Sequence, residues 1–379
     1  MPSREPRFAR VLIWLMLAAV ACHAEDPAHE PSLDDSAACA SCGLPSEPTC
    51  APEKTAPAPC FFPLSTYDGA TELSISVAWS PIDDFVLSGA AGELRLLELT
   101  GDASFRELAI FRDQGGRIDV AWSPDGRFAL SASTDVRLLA VDRATGSIAQ
   151  IAPALTPNAG DIYALAWAPD GTAAVSVGQD GVARLLGVDT AAGSLDELAS
   201  FAVGGGKTFD VAFSPDGALF AIANANRTLV IVSVDLENRS LAEVARIEED
   251  GWVTAVAWSP TDDAVLSGTW LSCNTVLLSS FERDRSALVT RSRFRGHTSG
   301  VRVLAFNPAG DRAVSAGHDD TLRLFDVSTT GGTLSHLATW DENALGVHDV
   351  SFSPDGSRLL VAASHADHLT LLDVSACVP

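Results

Sequence analysis

Seven prolines, Pro81, Pro124, Pro169, Pro215, Pro260, Pro308 and Pro354, each close a short apolar run, and the residues five places before them are Ser76, Asp119, Ala164, Asp210, Ala255, Val303 and Asp349. Three of these seven are carboxylates. If the fold gathers the equivalent positions, Asp119, Asp210 and Asp349 face one another and offer the oxygen donors that a cation such as calcium takes. The plainer alternative is that each carboxylate bonds backbone amides of the neighbouring repeat. Of eight histidines only His348 falls beside the set. No G-x-S-x-G, H-E-x-x-H or P-loop is present, so a nucleophile elbow, a zinc-hydrolase helix and a phosphate cradle all lack their signatures. No cofactor is expected.

What must position these residues is a repeat. The phrases are SVAWSPIDD, DVAWSPDG, ALAWAPDG, DVAFSPDG, AVAWSPTDD, VLAFNPAG and DVSFSPDG, spaced 43, 45, 46, 45, 48 and 46 residues from proline to proline. A period in the mid-forties with short strands is the signature of a β-propeller with four strands per blade, and seven phrases mean seven blades. In each repeat an apolar strand ends in an aromatic two places before Pro. Pro and Asp then occupy the middle of a turn, and Gly supplies the left-handed position that closes a hairpin. A second strand such as RFALSAS follows, then a third such as TLRLFDV and a fourth such as FRELAIF. Apolar positions alternate or run in fours to sixes between Gly, Pro, Asp and Ser, so the architecture is expected to be all-β. The small residues three before each proline, Ala78, Ala121, Ala166, Ala212, Ala257, Ala305 and Ser351, suit inner strands that converge on an axis. The aromatics beside them, Trp79, Trp122, Trp167, Phe213, Trp258, Phe306 and Phe352, are expected to pack between neighbouring blades.

Residues 295–327, RGHTSGVRVLAFNPAGDRAVSAGHDDTLRLFDV, resemble a repeat of the WD-repeat family. The match rests on Gly296-His297, the inner strand, Ser315, the turn residue Asp319, and Phe325-Asp326 where the family usually has Trp-Asp. The resemblance implies a hydrogen-bonded structural network of His297, Ser315 and Asp319, with Phe325 departing from the pattern. The other six repeats are degenerate: the turn Asp recurs as Asp135, Asp180 and Asp367, but Gly92, Asn226 and Leu271 replace it elsewhere, and no second Gly-His occurs. The resemblance covers residues 61–379. It implies an interaction platform with a protein partner, because propellers of this kind serve varied partners.

The phase of the repeat predicts how the ring closes. The segment FFPLSTYD matches the outer strand LATWD through Leu64, Thr66 and Tyr67 against Leu337, Thr339 and Trp340, while the last repeat stops after its third strand, LTLLDVS. The first strand must therefore complete the last blade, which removes the seam that independent blades would leave. This arrangement brings Cys60 beside Cys377, and in an oxidising compartment a disulfide follows. The C-x-x-C of Cys39 and Cys42 has no second ligand pair at zinc-finger spacing and no thioredoxin-like pattern around it, so one disulfide in a tail is the simpler reading. Cys50 has no assigned pairing, and Cys273 falls in the loop between the second and third strands of the fifth blade.

Export is read from the N-terminus. Arg4, Arg7 and Arg10 precede the uncharged run of residues 11–21, and Ala19-Val20-Ala21 followed by Cys22 combines a small-residue cleavage site with a lipobox-like Cys. Lipidation of Cys22, ordinary secretion and an uncleaved anchor all stay open, although eleven apolar residues are few to span a bilayer. Residues 1–21 are thus expected to be a signal peptide, 22–60 a Cys- and Pro-rich tether, and 61–379 the propeller. The expected location is the bacterial cell envelope, lipid-anchored, or otherwise secreted.

The composition, with 47% hydrophobic residues and a net charge of −24, supplies a large core and repels a phosphate backbone. Nucleic acid is not an expected partner, membrane contact is expected only through the lipid, and a monomer is expected. The loops joining fourth to first strands and second to third strands share one face of a propeller. On that face Trp252, immediately before the inner strand of the fifth blade, and Trp270, in its second-to-third-strand loop, are expected binding residues. Tyr163, Phe209, Arg302 and His348, each six before its proline, are expected around the axial funnel on the same side. The expected function is a non-catalytic protein-interaction scaffold, with a metal-dependent hydrolase or lactonase using the funnel carboxylates as the alternative.

Overall fold

Each Pro-Asp-Gly phrase closes on hydrogen bonds made within the turn itself. At Ser123-Pro124-Asp125-Gly126 the Gly126 N–H donates to the Ser123 carbonyl at 2.8 Å with Gly126 at φ +68°. The Asp125 carboxylate meanwhile accepts the Ser123 hydroxyl at 2.6 Å and the Arg127 N–H at 3.0 Å. The same turn recurs at Gly217 and Gly356, both at φ +71°. A left-handed glycine at this place costs no Cβ clash, which is why the repeat keeps it.

The computed structural model describes residues 60–69, 74–112, 115–271, 273–341, 346–363 and 368–377. Residues 1–59, where the signal peptide and most of the tether are expected, with Cys22, Cys39, Cys42 and Cys50, lie outside the described residues, as does Asp367. The described elements are β-strands, numbered β1 to β28 in chain order, arranged as seven four-stranded antiparallel sheets. The innermost strands are β2 (Ser74–Trp79), β6 (Asp119–Trp122), β10 (Ile162–Trp167), β14 (Thr208–Phe213), β18 (Trp252–Trp258), β22 (Val301–Phe306) and β26 (Val347–Phe352). They open blades 1 to 7 in that order. The all-β, seven-bladed propeller expected from the sequence is the fold.

The core is divided among the seams. Seven apolar clusters fill the structure, and each draws its residues from two neighbouring blades, as with Leu87 and Leu96 of blade 1 against Ile118 and Leu139 of blade 2. Burial of side chains of this size stabilises by about 1.5–3 kcal/mol each, so no blade holds its apolar surface without its neighbours. The inner aromatics serve the same seams. The Trp122 indole N–H donates to the Ala78 carbonyl at 3.0 Å and that of Trp167 to the Ala121 carbonyl at 3.2 Å.

Closure follows the phase of the repeat in register. Strand β1 (Phe62–Tyr67) pairs with β28 (His368–Asp373), so that Tyr67 lies opposite Leu369 and Thr66 opposite Thr370. Outer strand β25 (Thr333–Trp340) pairs with β24 (Leu322–Ser328) in the same way, Trp340 opposite Leu322 and Thr339 opposite Arg323. Leu64 and Leu337 are both skipped by a bulge at the same place. Cys60 and Cys377 are joined by a disulfide, with their Cα atoms 4.9 Å apart.

Candidate functional site

The inner strands of all seven blades line an axial cavity of about 340 Å³, with Val77, Asp119, Tyr163, Phe209, Thr254, Arg302 and His348 each contributed by a different blade. The convergence that propeller geometry demands therefore brings Asp119, Asp210 and Asp349 together. Their oxygens, however, are already engaged. Oδ2 of Asp349 accepts the Val77 N–H at 2.8 Å, Oδ2 of Asp119 the Leu165 N–H at 2.8 Å, and Oδ2 of Asp210 the Val256 N–H at 2.9 Å. Each of those amides belongs to the next blade. Oδ1 of Asp210 and of Asp349 accept the N–H of Val211 and Val350 at 2.8 Å. Ser76 Oγ lies 3.0 Å from Asp119 Oδ1 and 3.1 Å from Asp349 Oδ2, and its single proton serves one of them at a time.

Of the two roles open to these carboxylates, the geometry gives backbone latching. Among the described residues no group of three or more His, Cys, Asp and Glu side chains is arranged to hold a metal ion. All three acids line the axial cavity. Burial among protein atoms pushes Asp210 and Asp349 up to about 7 against the pull of their amide donors, and raises Asp119 as well.

The rim divides into an aromatic side and a cationic side. Tyr163 and Phe209 stack with centroids 6.2 Å apart, Phe209 and Trp252 stack at 6.1 Å, Trp252 meets Trp270 edge-on at 6.0 Å, and Trp270 stacks on His318 at 4.8 Å. One arc of rings thus runs from blade 3 to blade 6. The placement of the two tryptophans differs from the sequence expectation. Trp252 is the first residue of β18, and Trp270 is the last residue of β19 (Ala264–Trp270), not a loop residue; the two lie opposite each other in the register. Packing of one indole against the other extends the hairpin past the point where the repeat pattern ends it. Leu271 then begins the loop in the left-handed region, φ +79°, and is 55% exposed. Arg302 and His348 stand on the other side with Arg117, which sequence reading missed because it lies seven places before its proline, outside the repeated phrase. Burial and the nearby charge of Arg117 push Arg302 down to about 9, while burial and both arginines push His348 down to about 3, so that it is neutral.

The network implied for blade 6 is present. His297 Nδ1 lies 3.0 Å from both Asp319 oxygens and Nε2 2.6 Å from Ser315 Oγ. Burial holds His297 in its neutral form, so Nδ1–H donates to Asp319 and the Ser315 hydroxyl donates to Nε2. Phe325, at the family's Trp place, packs edge-on against Phe294 at 4.9 Å. Two other blades build versions that carry no Gly-His. In blade 3 Asn158 takes the histidine's place: its Oδ1 accepts the Ser176 hydroxyl at 2.8 Å and its Nδ2 donates to Asp180 Oδ1 at 3.2 Å. In blade 5 the place is held by Glu249 beside Ser267, 4% exposed and pushed up to about 7 by burial.

With this geometry in view, comparison with known proteins is informative about the repeat. The family model described as "WD domain, G-beta repeat" matches residues 105–135, 153–185 and 288–326. The small ribosomal subunit protein RACK1y of Oryza sativa subsp. japonica is 31% identical over 133 residues, which are 33% of this chain and 34% of that protein. Transducin beta-like protein 3 of Bos taurus is 29% identical over 149 residues, 39% of this chain and 17% of that protein. The chain thus spans about a third or less of the length of these relatives. Among solved structures, Chaetomium thermophilum Sqt1 bound to the N-terminus of the ribosomal protein L10 superposes with a TM-score of 0.65 at 18% identity, over 82% of this chain and 99% of that one, a likeness of fold. Three stretches of this chain thus match the WD repeat, and the fold that holds them is a seven-bladed β-propeller.

Proposed function

We propose that this protein is a non-catalytic scaffold that holds a protein partner on the face where fourth-to-first and second-to-third strand loops emerge. The observation that carries the reading is the continuous arc Tyr163, Phe209, Trp252 and Trp270, extended by the exposed Leu271. Aromatic rings already held by one another lose little freedom on contact, and such residues most often dominate interface energy. The matched relatives include a ribosomal-subunit protein, and one of the solved propellers that this chain resembles is bound to a ribosomal protein's N-terminus, which accords with a binding role. Trp252→Ala with Trp270→Ala should weaken partner binding by at least ~2 kcal/mol with little change in thermal stability. A partner captured from intact cells by cross-linking that binds the double variant as tightly as the parent would remove this face from consideration.

The same reading places the scaffold outside the cytoplasm on a lipid anchor at Cys22. It rests on the charged, then apolar, then small-residue order of residues 4–22. Cys22→Ser should abolish lipid labelling and release the protein from membranes, since two or more acyl chains give stable attachment and none gives none. Unchanged membrane partitioning would refute the anchor.

A further inference from the structure

The funnel contains two cations that the latching acids do not neutralise by contact. Arg117 and Arg302 both line the cavity, and both side chains are largely enclosed by it. Among the described residues neither guanidinium makes a hydrogen bond or an ion pair, and Arg117 Nε is buried without a partner. The obvious counter-ions, Asp119 and Asp349, have their oxygens taken by the amides of Leu165 and Val77, by the Val350 N–H and by Ser76. Asp119 attracts Arg117 and Asp349 attracts Arg302 through space without a bond between them; enclosing two guanidiniums in one cavity without a hydrogen-bonded partner is still unfavourable unless an anion joins them.

The shape of the cavity narrows the anion. A guanidinium presents its donors in a planar fork that matches a carboxylate or a phosphate. The floor holds three acids, so a group bearing a single charge meets less repulsion there than a dianion. The wall facing the arginines is aromatic and flat: Tyr163 and Phe209 stack with an interplanar angle of 11°, and Lys207 Nζ adds a further cation over the Tyr163 ring at 5.9 Å.

We propose that the axial funnel binds the carboxylate of a small organic acid, held between Arg117 and Arg302 with its apolar part against Tyr163 and Phe209. The site needs no protein partner, so its test and that of the scaffold can fail separately.

Titration calorimetry on the full chain with benzoate, benzamide and inorganic phosphate tests the site. Benzoate should bind at least about tenfold more tightly than benzamide, which keeps the ring and lacks the charge, and more tightly than phosphate. Arg302→Met and Arg117→Met should each abolish benzoate binding, while melting without ligand stays level or rises because an enclosed charge is gone. Arg302→Lys, which keeps the charge but not the fork, guards against a misfolded variant and should bind benzoate more weakly than the parent. Absence of benzoate binding, equal binding of benzamide, equal or tighter binding of phosphate, or undiminished binding by the Met variants would each overturn the proposal.

Discussion

Asp349 in blade 7 reaches across the seam to accept the main-chain N–H of Val77 in blade 1, four residues before Pro81, at 2.8 Å. Asp119 and Asp210 do the same to the residue four before the next proline, Leu165 and Val256. Ser76 Oγ makes a longer version to the Val120 N–H at 3.3 Å. Inner strands of neighbouring blades are splayed too far apart for a sheet ladder, so these side chains supply acceptors that buried amides would otherwise lack.

The polar networks of blades 6 and 3 should carry measurable stability. His297→Ala leaves the Asp319 carboxylate and the Ser315 hydroxyl without their shared partner, and the expected loss is ~2–4 kcal/mol. Asn158→Ala strips the equivalent contacts to Ser176 and Asp180, with an expected loss of ~1–3 kcal/mol. Urea denaturation midpoints of the two variants check this, and values within error of the parent would reduce both networks to ornament.

Glu249 should make stability fall as pH rises. Its folded pKa, about 7, lies above the usual glutamate value because burial and the charge of Asp250 outweigh the attraction of Arg293. A raised acid contributes stability that is fully present below the unfolded pKa, near 4, and is lost as pH climbs through about 7. Glu249→Gln stays neutral throughout. The variant should therefore gain on the parent by up to ~3 kcal/mol at pH 8 and not at pH 4. Parallel Tm profiles for the two proteins across that range would contradict the assignment.

The disulfide between Cys60 and Cys377 joins positions 317 apart, and constraining so long a loop in the unfolded chain is worth at most ~5 kcal/mol in the chain-entropy picture. Non-reducing peptide mapping should recover the Cys60–Cys377 peptide pair, and Cys60→Ser with Cys377→Ser should lower the melting temperature. Recovery of Cys60 bound only to Cys39, Cys42 or Cys50 would show a different closure.

How much of this was legible depends on whether a residue sits inside the repeated phrase. The blades, the turns and the pairing of β1 were readable because each phrase carries its own local instructions, such as Pro124-Asp125-Gly126, and because Tyr67 and Trp340 occupy matching places. Asp119, Asp210 and Asp349 were found by their offset from proline, with latching as the plainer role, although spacing alone left a cation site open beside it. Arg117 was missed because one more residue of offset takes it out of the comparison. Asn158 was missed because it shares no motif with Gly296-His297; only Ser176 and Asp180, placed like Ser315 and Asp319, pointed to a partner in that position. The rings of Phe209 and Trp252 were named separately, but stacking between blades depends on the angle at which the blades splay, and no local pattern encodes that angle.

The pairing of β1 with β28 also fixes an order of events in time. A chain made from its N-terminus produces β1 before the other described strands of the ring, yet its hydrogen-bonding partner, β28, is the last of them to be made. Blades 1 to 6 can each form from contiguous chain, whereas blade 7 has to wait until β28 has been made. Contacts of such sequence separation are slow to form. Until they do, the apolar surfaces of blades 1 and 6 that will face blade 7 are uncovered, and this is the interval in which the molecule is most open to association with other copies of itself or capture by a chaperone.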